Sequence, residues 1–188
     1  MSFRKVIAAI VSGVFFTGTL PFLTLPVNAQ KATAEDCTQS VQATWLEHYT
    51  AEASTEGECG LGELVLTVRN QAGEIEFADS FGPNDLFGFY DIVTFQAMKL
   101  ALTDWVGSYA DQSSSAKLPP WPQGADGPDA GEFPFFVEEG VTRDLYEDVR
   151  AEDRAMVCFI QGGESLLCLV KHPRTGALEA IGVQTFPG

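Results

Sequence analysis

The chain has 188 residues, with 26 acidic residues against 11 lysines and arginines, and its formal net charge is −15 at pH 7. This length suffices for one domain with a hydrophobic core. So large a negative charge argues against proteins that bind nucleic acid or anionic membrane surfaces. An acidic surface suited to a salty medium explains the charge most simply, and the alternative is a partner of opposite charge, either a basic protein or a small ligand.

The N-terminus has the three parts of a secretory signal peptide. Two basic residues precede an uncharged run over 6–25, and Val27 and Ala29 occupy the small-residue positions of a cleavage site. The alternative is a membrane anchor, because the run is nearly long enough to span a bilayer, but glycines and prolines interrupt it. We predict cleavage after Ala29. This leaves 30–188 as one domain of net charge −17, periplasmic or secreted, with no stable membrane insertion.

The first elements of the mature chain are predicted to be strands. Residues 40–52 fit a helix face and a strand face, and their β-forming residues favour one strand. Residues 63–70 and 74–81 alternate apolar and polar side chains, which predicts a β-hairpin. Matching of apolar residues pairs Val68 with Ile75 across a loop of four residues.

Two helices are predicted, the longer over residues 94–107. Thr94 can cap its start, Gly107 marks its end, and its apolar residues recur at the spacing of one helix face. These apolar residues are Phe95, Met98, Leu102, Trp105 and Val106. The shorter helix begins after Thr142. Its predicted inward-facing residues are Leu145, Tyr146 and Val149.

An irregular loop is predicted over residues 111–134, because its density of proline and glycine excludes a regular element. The loop and the residues after it carry more aromatic side chains than a solvated linker needs. We predict that Trp121, with Phe135 and Phe136, forms an exposed apolar patch that binds a ligand or partner. The alternative is that these aromatic residues attach the loop to the domain's own core.

The C-terminal part is predicted to be a three-stranded antiparallel meander. A three-residue loop over 162–164 would place Cys158 directly opposite Cys168, at a spacing that a disulfide spans. A two-residue turn would instead place Cys158 opposite Leu167. The turn Pro173–Gly176 then leads into the third strand.

The four cysteines are an even number in a chain predicted to leave the cytosol, where disulfides form and persist. The hairpin register favours a bond between Cys158 and Cys168, which leaves Cys37 to pair with Cys59. The alternative is that each cysteine reaches a different part of the chain. The sequence has no C-x-x-C spacing, which argues against a zinc site and against a thioredoxin-like redox site.

Motifs of common enzyme classes, such as G-x-S-x-G, H-E-x-x-H and the Walker loop, do not occur in the sequence. His48 and His172 show no spacing to other ligand types that predicts a metal site, and we expect no cofactor. Adjacent carboxylates are frequent, and a hydrolase would draw on Glu138, Glu139 and Asp144. A solvated charged face explains these acids equally well.

Together these features predict an α+β fold: a single small domain with an antiparallel sheet, one main amphipathic helix packed on it, and a long Pro/Gly-rich loop. The leading functional prediction is an exported, non-enzymatic domain that binds a partner or ligand. One alternative is a cell-envelope hydrolase that uses paired carboxylates. The other is a structural protein of the envelope.

The predicted cleavage can be tested directly. N-terminal sequencing of the exported protein from a bacterial host should begin at Gln30, because the charge-free run ends in a small-residue cleavage pattern at Ala29. Recovery of the protein from the membrane fraction with Met1 retained would contradict the prediction.

Overall fold

The computed structural model describes residues 35–186, and the structural statements below concern those residues. The predicted signal peptide, residues 1–29, lies outside the described residues. All neighbouring strands are antiparallel and form two sheets. Sheet 1 is a meander of β1 (Gln39–Trp45), β2 (Tyr49–Thr55), β3 (Leu64–Arg69) and β4 (Ile75–Phe81).

Sheet 2 has the strand order β5-β7-β8-β9-β6. Its strands are β5 (Asp111–Ser114), β6 (Phe135–Val137), β7 (Ala155–Ile160), β8 (Ser165–Lys171) and β9 (Leu178–Thr185). Helix α1 (Phe95–Val106) follows sheet 1, and helix α2 (Arg143–Ala151) lies between β6 and β7 in the chain. This arrangement confirms the predicted α+β class, with two sheets where one was expected.

Sheet 2 is buried on both faces, and this divides the interior into two cores. Along β7, Val157 and Phe159 point into the main core, shared with α1 and sheet 1. Met156 and Cys158 point the other way, into a second core shared with α2. The alternation of side chains along a strand therefore explains why β7 is almost continuously apolar.

Helix α1 has the predicted limits and the predicted inward face. The Thr94 hydroxyl accepts a hydrogen bond from the Ala97 N–H at 3.2 Å, which caps the first turn. At the other end, the Trp45 indole of β1 donates to the Val106 carbonyl at 2.7 Å. The helix is thus held against sheet 1 by burial of its apolar stripe and by a hydrogen bond at its last turn.

The prediction of one strand over residues 40–52 is wrong, because the chain reverses inside that stretch. Trp45 pairs with Tyr49, and Leu46 and Glu47 take positive φ values of 46° and 66° in the turn. The Gln112 side chain accepts a hydrogen bond from the Leu46 N–H at 2.6 Å and so supports this turn from sheet 2. A turn without Gly, Asn or Pro leaves little trace in the sequence.

The predicted register of the β3–β4 hairpin is also wrong. Arg69 pairs with Ile75, and Val68 pairs with Phe77, so that one extra residue bulges in β4. The Asn70 carboxamide oxygen accepts hydrogen bonds from the backbone of the turn, including the Glu74 N–H at 3.0 Å. These hydrogen bonds of the Asn70 side chain, rather than the matching of apolar residues, favour the observed register of the hairpin. In this register Ile75 is 56% exposed.

The predicted C-terminal hairpin is confirmed. The Gln161 N–H donates to the Ser165 carbonyl at 3.1 Å across the three-residue loop, and Cys158 pairs with Cys168. Both predicted disulfides are formed. They are Cys37–Cys59 and Cys158–Cys168.

Regular structure enters the segment predicted to be an irregular loop over 111–134. Strand β5 pairs with β7 at its start, and a 3₁₀ turn, Ser115–Lys117, follows. The first prolines come only after this turn, so they do not prevent the pairing. Helix α2 buries Tyr146 and Val149 as predicted, but Leu145 is 45% exposed, contrary to its predicted inward position.

Trp105 gives a direct test of the main core, since its side chain is only 1% exposed. Trp105→Ala should lower the free energy of unfolding by about 3 to 5 kcal/mol, the range for large-to-small core substitutions. Leu100→Ala is the matched control on the same helix, where Leu100 is 63% exposed, and should change stability by less than about 0.5 kcal/mol. Equal effects in chemical denaturation would contradict the described core.

Candidate functional site

An open apolar groove of about 900 Å³ lies where four parts of the chain meet. These parts are the β4–α1 loop (82–94), the segment after α1, the tip of the β7–β8 hairpin, and the end of β9. Four of the ten residues that line it are aromatic. They are Phe87, Tyr90, Tyr109 and Phe186. We call this surface the aromatic groove.

The β4–α1 loop presents its aromatic residues because it is anchored at every third position. Leu86, Phe89 and Ile92 are buried in the main core. The residues that follow two of these anchors, Phe87 and Tyr90, are 51% and 48% exposed. An irregular segment with a buried anchor at every third position can therefore hold exposed rings in place without a helix or strand.

The hairpin tip fixes the other wall of the groove. The Phe87 N–H donates to the Gly162 carbonyl at 3.2 Å, which joins the loop to the tip. A Cβ atom at Gly163 would lie 2.9 Å from the Tyr90 hydroxyl oxygen, so glycine is what allows Tyr90 to approach. The Phe186 N–H donates to the Glu164 carbonyl at 2.9 Å and brings the end of β9 to the same tip.

The rings of the groove are also arranged against one another. Phe87 and Tyr109 meet edge to face with their centroids 6.1 Å apart, and Phe186 packs on Phe133 at 5.4 Å. A smaller groove of about 220 Å³ shares Phe87 and Tyr109 and extends the apolar surface over Leu100 of α1. Single exposed apolar residues are ordinary, whereas here several of them lie side by side around one groove.

The residues predicted as a site from the sequence do not form one exposed patch. Trp121 is half-buried and packs edge to face on Tyr146, with ring centroids 5.8 Å apart. Phe135 is 6% exposed and packs on the same Tyr146 ring. Phe136 is 61% exposed but lies on the opposite face of β6. The structure therefore brings Trp121 and Phe135 together on Tyr146, with Phe135 inside the second core and Trp121 packed against it, and it separates Phe136 from them.

Side chains of helix α2 hold the Pro/Gly-rich loop over 111–134, here called the Pro-rich loop, by donating hydrogen bonds to backbone carbonyl groups of the loop. The Arg143 guanidinium donates to the Trp121 carbonyl at 2.9 Å, and the Tyr146 hydroxyl donates to the Pro119 carbonyl at 2.8 Å. Burial raises the pKa of Tyr146, so its hydroxyl remains a donor at neutral pH. The loop thus covers the second core, which is the alternative considered from its sequence.

Glu147 completes this attachment. Its carboxylate accepts a hydrogen bond from the Trp121 N–H and pairs with the Arg150 guanidinium, each at 2.6 Å. The Trp121 N–H is the main cause that lowers the pKa of Glu147, and Arg150 adds to it. This carboxylate therefore connects α2 to the loop, and in this respect it differs from the solvated charged face that its sequence suggested.

The acids proposed for a hydrolase do not line the aromatic groove. Asp144 lies in the first turn of α2, with its side chain 94% exposed and 3.7 Å from the Arg143 guanidinium. Glu138 and Glu139 follow β6, and Glu139 is exposed. Residues 35–186 contain no group of three or more His, Cys, Asp or Glu side chains placed to hold a metal ion.

The side chains of the two histidines contact turns of the chain. Nδ1 of His172 accepts hydrogen bonds from the Arg174 and Thr175 N–H groups, the latter at 3.2 Å, which orders the turn before β9. His48 is exposed and lies 3.2 Å from the Gln71 side-chain amide. Neither contact resembles the fixed arrangement that a metal ligand or a catalytic base needs.

The aromatic groove was not found from the sequence. Its signal was the stretch FGPNDLFGFYDIV, residues 81–93, which combines Gly and Pro with four aromatic residues. Like the Pro-rich loop, this stretch is irregular and rich in aromatic residues. The sequence does not show which of its aromatic residues are buried anchors and which are exposed, because their exposure depends on packing against Trp105.

Comparisons with protein-family models, with curated proteins and with solved structures found no match to this chain. Over residues 35–186, no helix combines the length and the apolar character that crossing a bilayer requires.

The attachment through Glu147 predicts a pH dependence. A carboxyl group with a lowered folded pKa stabilises the fold above its unfolded pKa, about 4.3 for Glu, and this stabilisation is lost as the pH falls through the folded pKa. Glu147→Gln should therefore cost about 1 kcal/mol at neutral pH, and the difference from the native protein should shrink below about pH 4. Thermal unfolding of both proteins between about pH 3 and pH 7 measures the cost of the substitution and its decrease at low pH.

Glu139→Gln serves as the control, because Glu139 is an exposed carboxylate close to α2 in the sequence. It should leave the unfolding temperature nearly unchanged throughout this pH range. A Glu147→Gln effect that stays constant with pH would contradict the assignment.

Proposed function

We propose that this protein is an exported, non-enzymatic binding protein that holds the apolar part of a small ligand in the aromatic groove. The observation that supports this most is the groove itself. Its volume of about 900 Å³ lies within the range of roughly 300 to 1,000 Å³ that is typical of small-molecule sites. Four partly exposed aromatic side chains line it, and such rings dominate binding energies at interfaces.

The walls of the groove are held in place before a ligand arrives. Phe87 is fixed by its backbone bond to Gly162, and the neighbouring Phe89 packs edge to face on Trp105 with ring centroids 5.5 Å apart. Binding to a prearranged site costs less conformational entropy than binding that orders a loop. This supports a site for a ligand rather than an incidental exposure of apolar residues.

The chemistry of the lining favours binding over hydrolysis. Among the described residues that line the groove, Glu164 is the single carboxylate. A glycosidase of the common type needs two carboxylates facing each other across its cleft. The hydrolase alternative, which would use Glu138, Glu139 and Asp144, therefore has no support from this site.

The proposed compartment is the periplasm or the extracellular medium. The two disulfides fit an oxidising compartment. The predicted signal peptide adds the route of export. An anionic surface then keeps the mature protein soluble at that location.

The test of this function uses Nile red, a neutral apolar dye, as the probe. The double substitution Phe87→Ala and Tyr109→Ala should weaken binding at least about tenfold, because each truncated ring loses on the order of 1 kcal/mol of contact. Fluorescence titration measures the affinity. Both side chains are about half exposed, so the fold should be retained, and circular dichroism checks this.

Phe136→Ala is the matched control, because Phe136 is an exposed phenylalanine that does not line the groove. The Phe136→Ala variant should bind the dye with the same affinity as the native protein. Loss of binding in Phe136→Ala, with binding retained in the double variant, would move the site to β6 and disprove the proposed one.

A further inference from the structure

The charged residues that line the aromatic groove and the smaller groove beside it are acidic. Glu164 lines the groove, and Asp104 lines the smaller groove that shares Phe87 and Tyr109 with it. Neither lining includes a lysine, arginine or histidine. A ligand at this surface therefore meets carboxylates without a compensating cation.

Several cations of the domain are engaged elsewhere. Arg143, Arg150 and Arg154 form ion pairs with carboxylates on or next to α2. Lys171 lies 5.8 Å from the centroid of the Tyr49 ring, at the end of β8 far along the strand from the hairpin tip. The chain as a whole is strongly acidic, so the field at the groove attracts positive charge.

Aromatic walls beside a carboxylate have a specific chemical preference. The face of an aromatic ring carries partial negative charge and attracts an organic cation. Tyr90 and Phe186 both contact the hairpin tip that carries Glu164: Tyr90 through Gly163, and Phe186 through its backbone bond to the Glu164 carbonyl. The lining of the groove thus holds two aromatic residues and one acidic residue at or beside the hairpin tip.

We propose that the aromatic groove recognises an organic cation that carries an apolar stem. The cationic centre lies at the hairpin tip, between Tyr90, Phe186 and Glu164. The stem runs along Phe87 and Tyr109 toward the smaller groove. This inference rests on the proposed function, and it adds the class of ligand: an alkylammonium compound rather than a neutral or anionic amphiphile.

The test compares three probes that share an octyl chain and differ in the head group: octyltrimethylammonium, octyl glucoside and octyl sulfate. Each is titrated into the mature protein by calorimetry, below its critical micelle concentration. The cation should bind at least about tenfold more tightly than the neutral probe, and the anion most weakly. The preference should decrease as salt is added, since the carboxylates are near solvent.

Two substitutions separate the sources of this preference. Glu164→Gln should weaken binding of the cation about threefold, as expected for an exposed charge pair, and leave the neutral probe unaffected. Tyr90→Leu keeps an apolar side chain but removes the ring, so it should reduce the cation preference by a similar factor. Glu139→Gln, which removes an exposed charge outside the groove lining, should change neither affinity.

The outcomes distinguish this inference from the proposed function. If the neutral probe binds as tightly as the cation, and Phe87→Ala weakens both, the groove is a binding site but the cation assignment is overturned. If no probe binds, the proposed function itself fails. Trilysine tests whether the occupant is instead a basic protein, because it carries charge without an apolar stem. Tighter binding of trilysine than of octyltrimethylammonium would assign the surface to a basic protein and overturn the proposal.

Discussion

The position of Trp105 determines how the parts of this domain meet. Its indole N–H donates to the Ile160 carbonyl at 2.8 Å, which joins α1 to the end of β7. The edges of two other rings meet it, Phe81 at the end of β4 and Phe89 in the β4–α1 loop, at 5.6 and 5.5 Å between centroids. A buried indole must satisfy its N–H, so only a narrow range of helix positions is allowed. Ile160 lines the aromatic groove, and this link therefore couples the main core to the candidate site.

The two faces of sheet 2 have different consequences for the loops that border them. On the second-core face, hydrogen bonds from α2 and burial of Trp121 hold the Pro-rich loop against the domain. On the main-core face, the β4–α1 loop is anchored through every third residue, and the rings between these anchors are left exposed. Both loops are rich in aromatic residues, yet of these two only the β4–α1 loop presents a contiguous apolar surface. The difference lies in which partner surface each loop meets, and not in its composition.

The sequence predicted the elements whose signal is local. The period of apolar residues located α1 with its Thr94 cap, and the loop length at 162–164 predicted the Cys158–Cys168 pairing. It failed where a side chain shapes a turn by hydrogen-bonding to its backbone: Gln112 supports the turn after Trp45 from a distant strand, and Asn70 accepts from the Glu74 N–H within the β3–β4 turn. The predicted aromatic site did not form one patch because the exposure of a ring depends on what packs beneath it.

We propose that the exposed rings of the β4–α1 loop form part of a binding site. The most direct measurement is a titration of the isotope-labelled protein with octyltrimethylammonium, followed by amide chemical shifts. We predict that the largest shifts fall at Phe87, Tyr90, Tyr109 and the hairpin tip over 162–166, with small shifts near Trp121. Shifts confined to α2 and the Pro-rich loop, or the absence of saturable shifts, would contradict it.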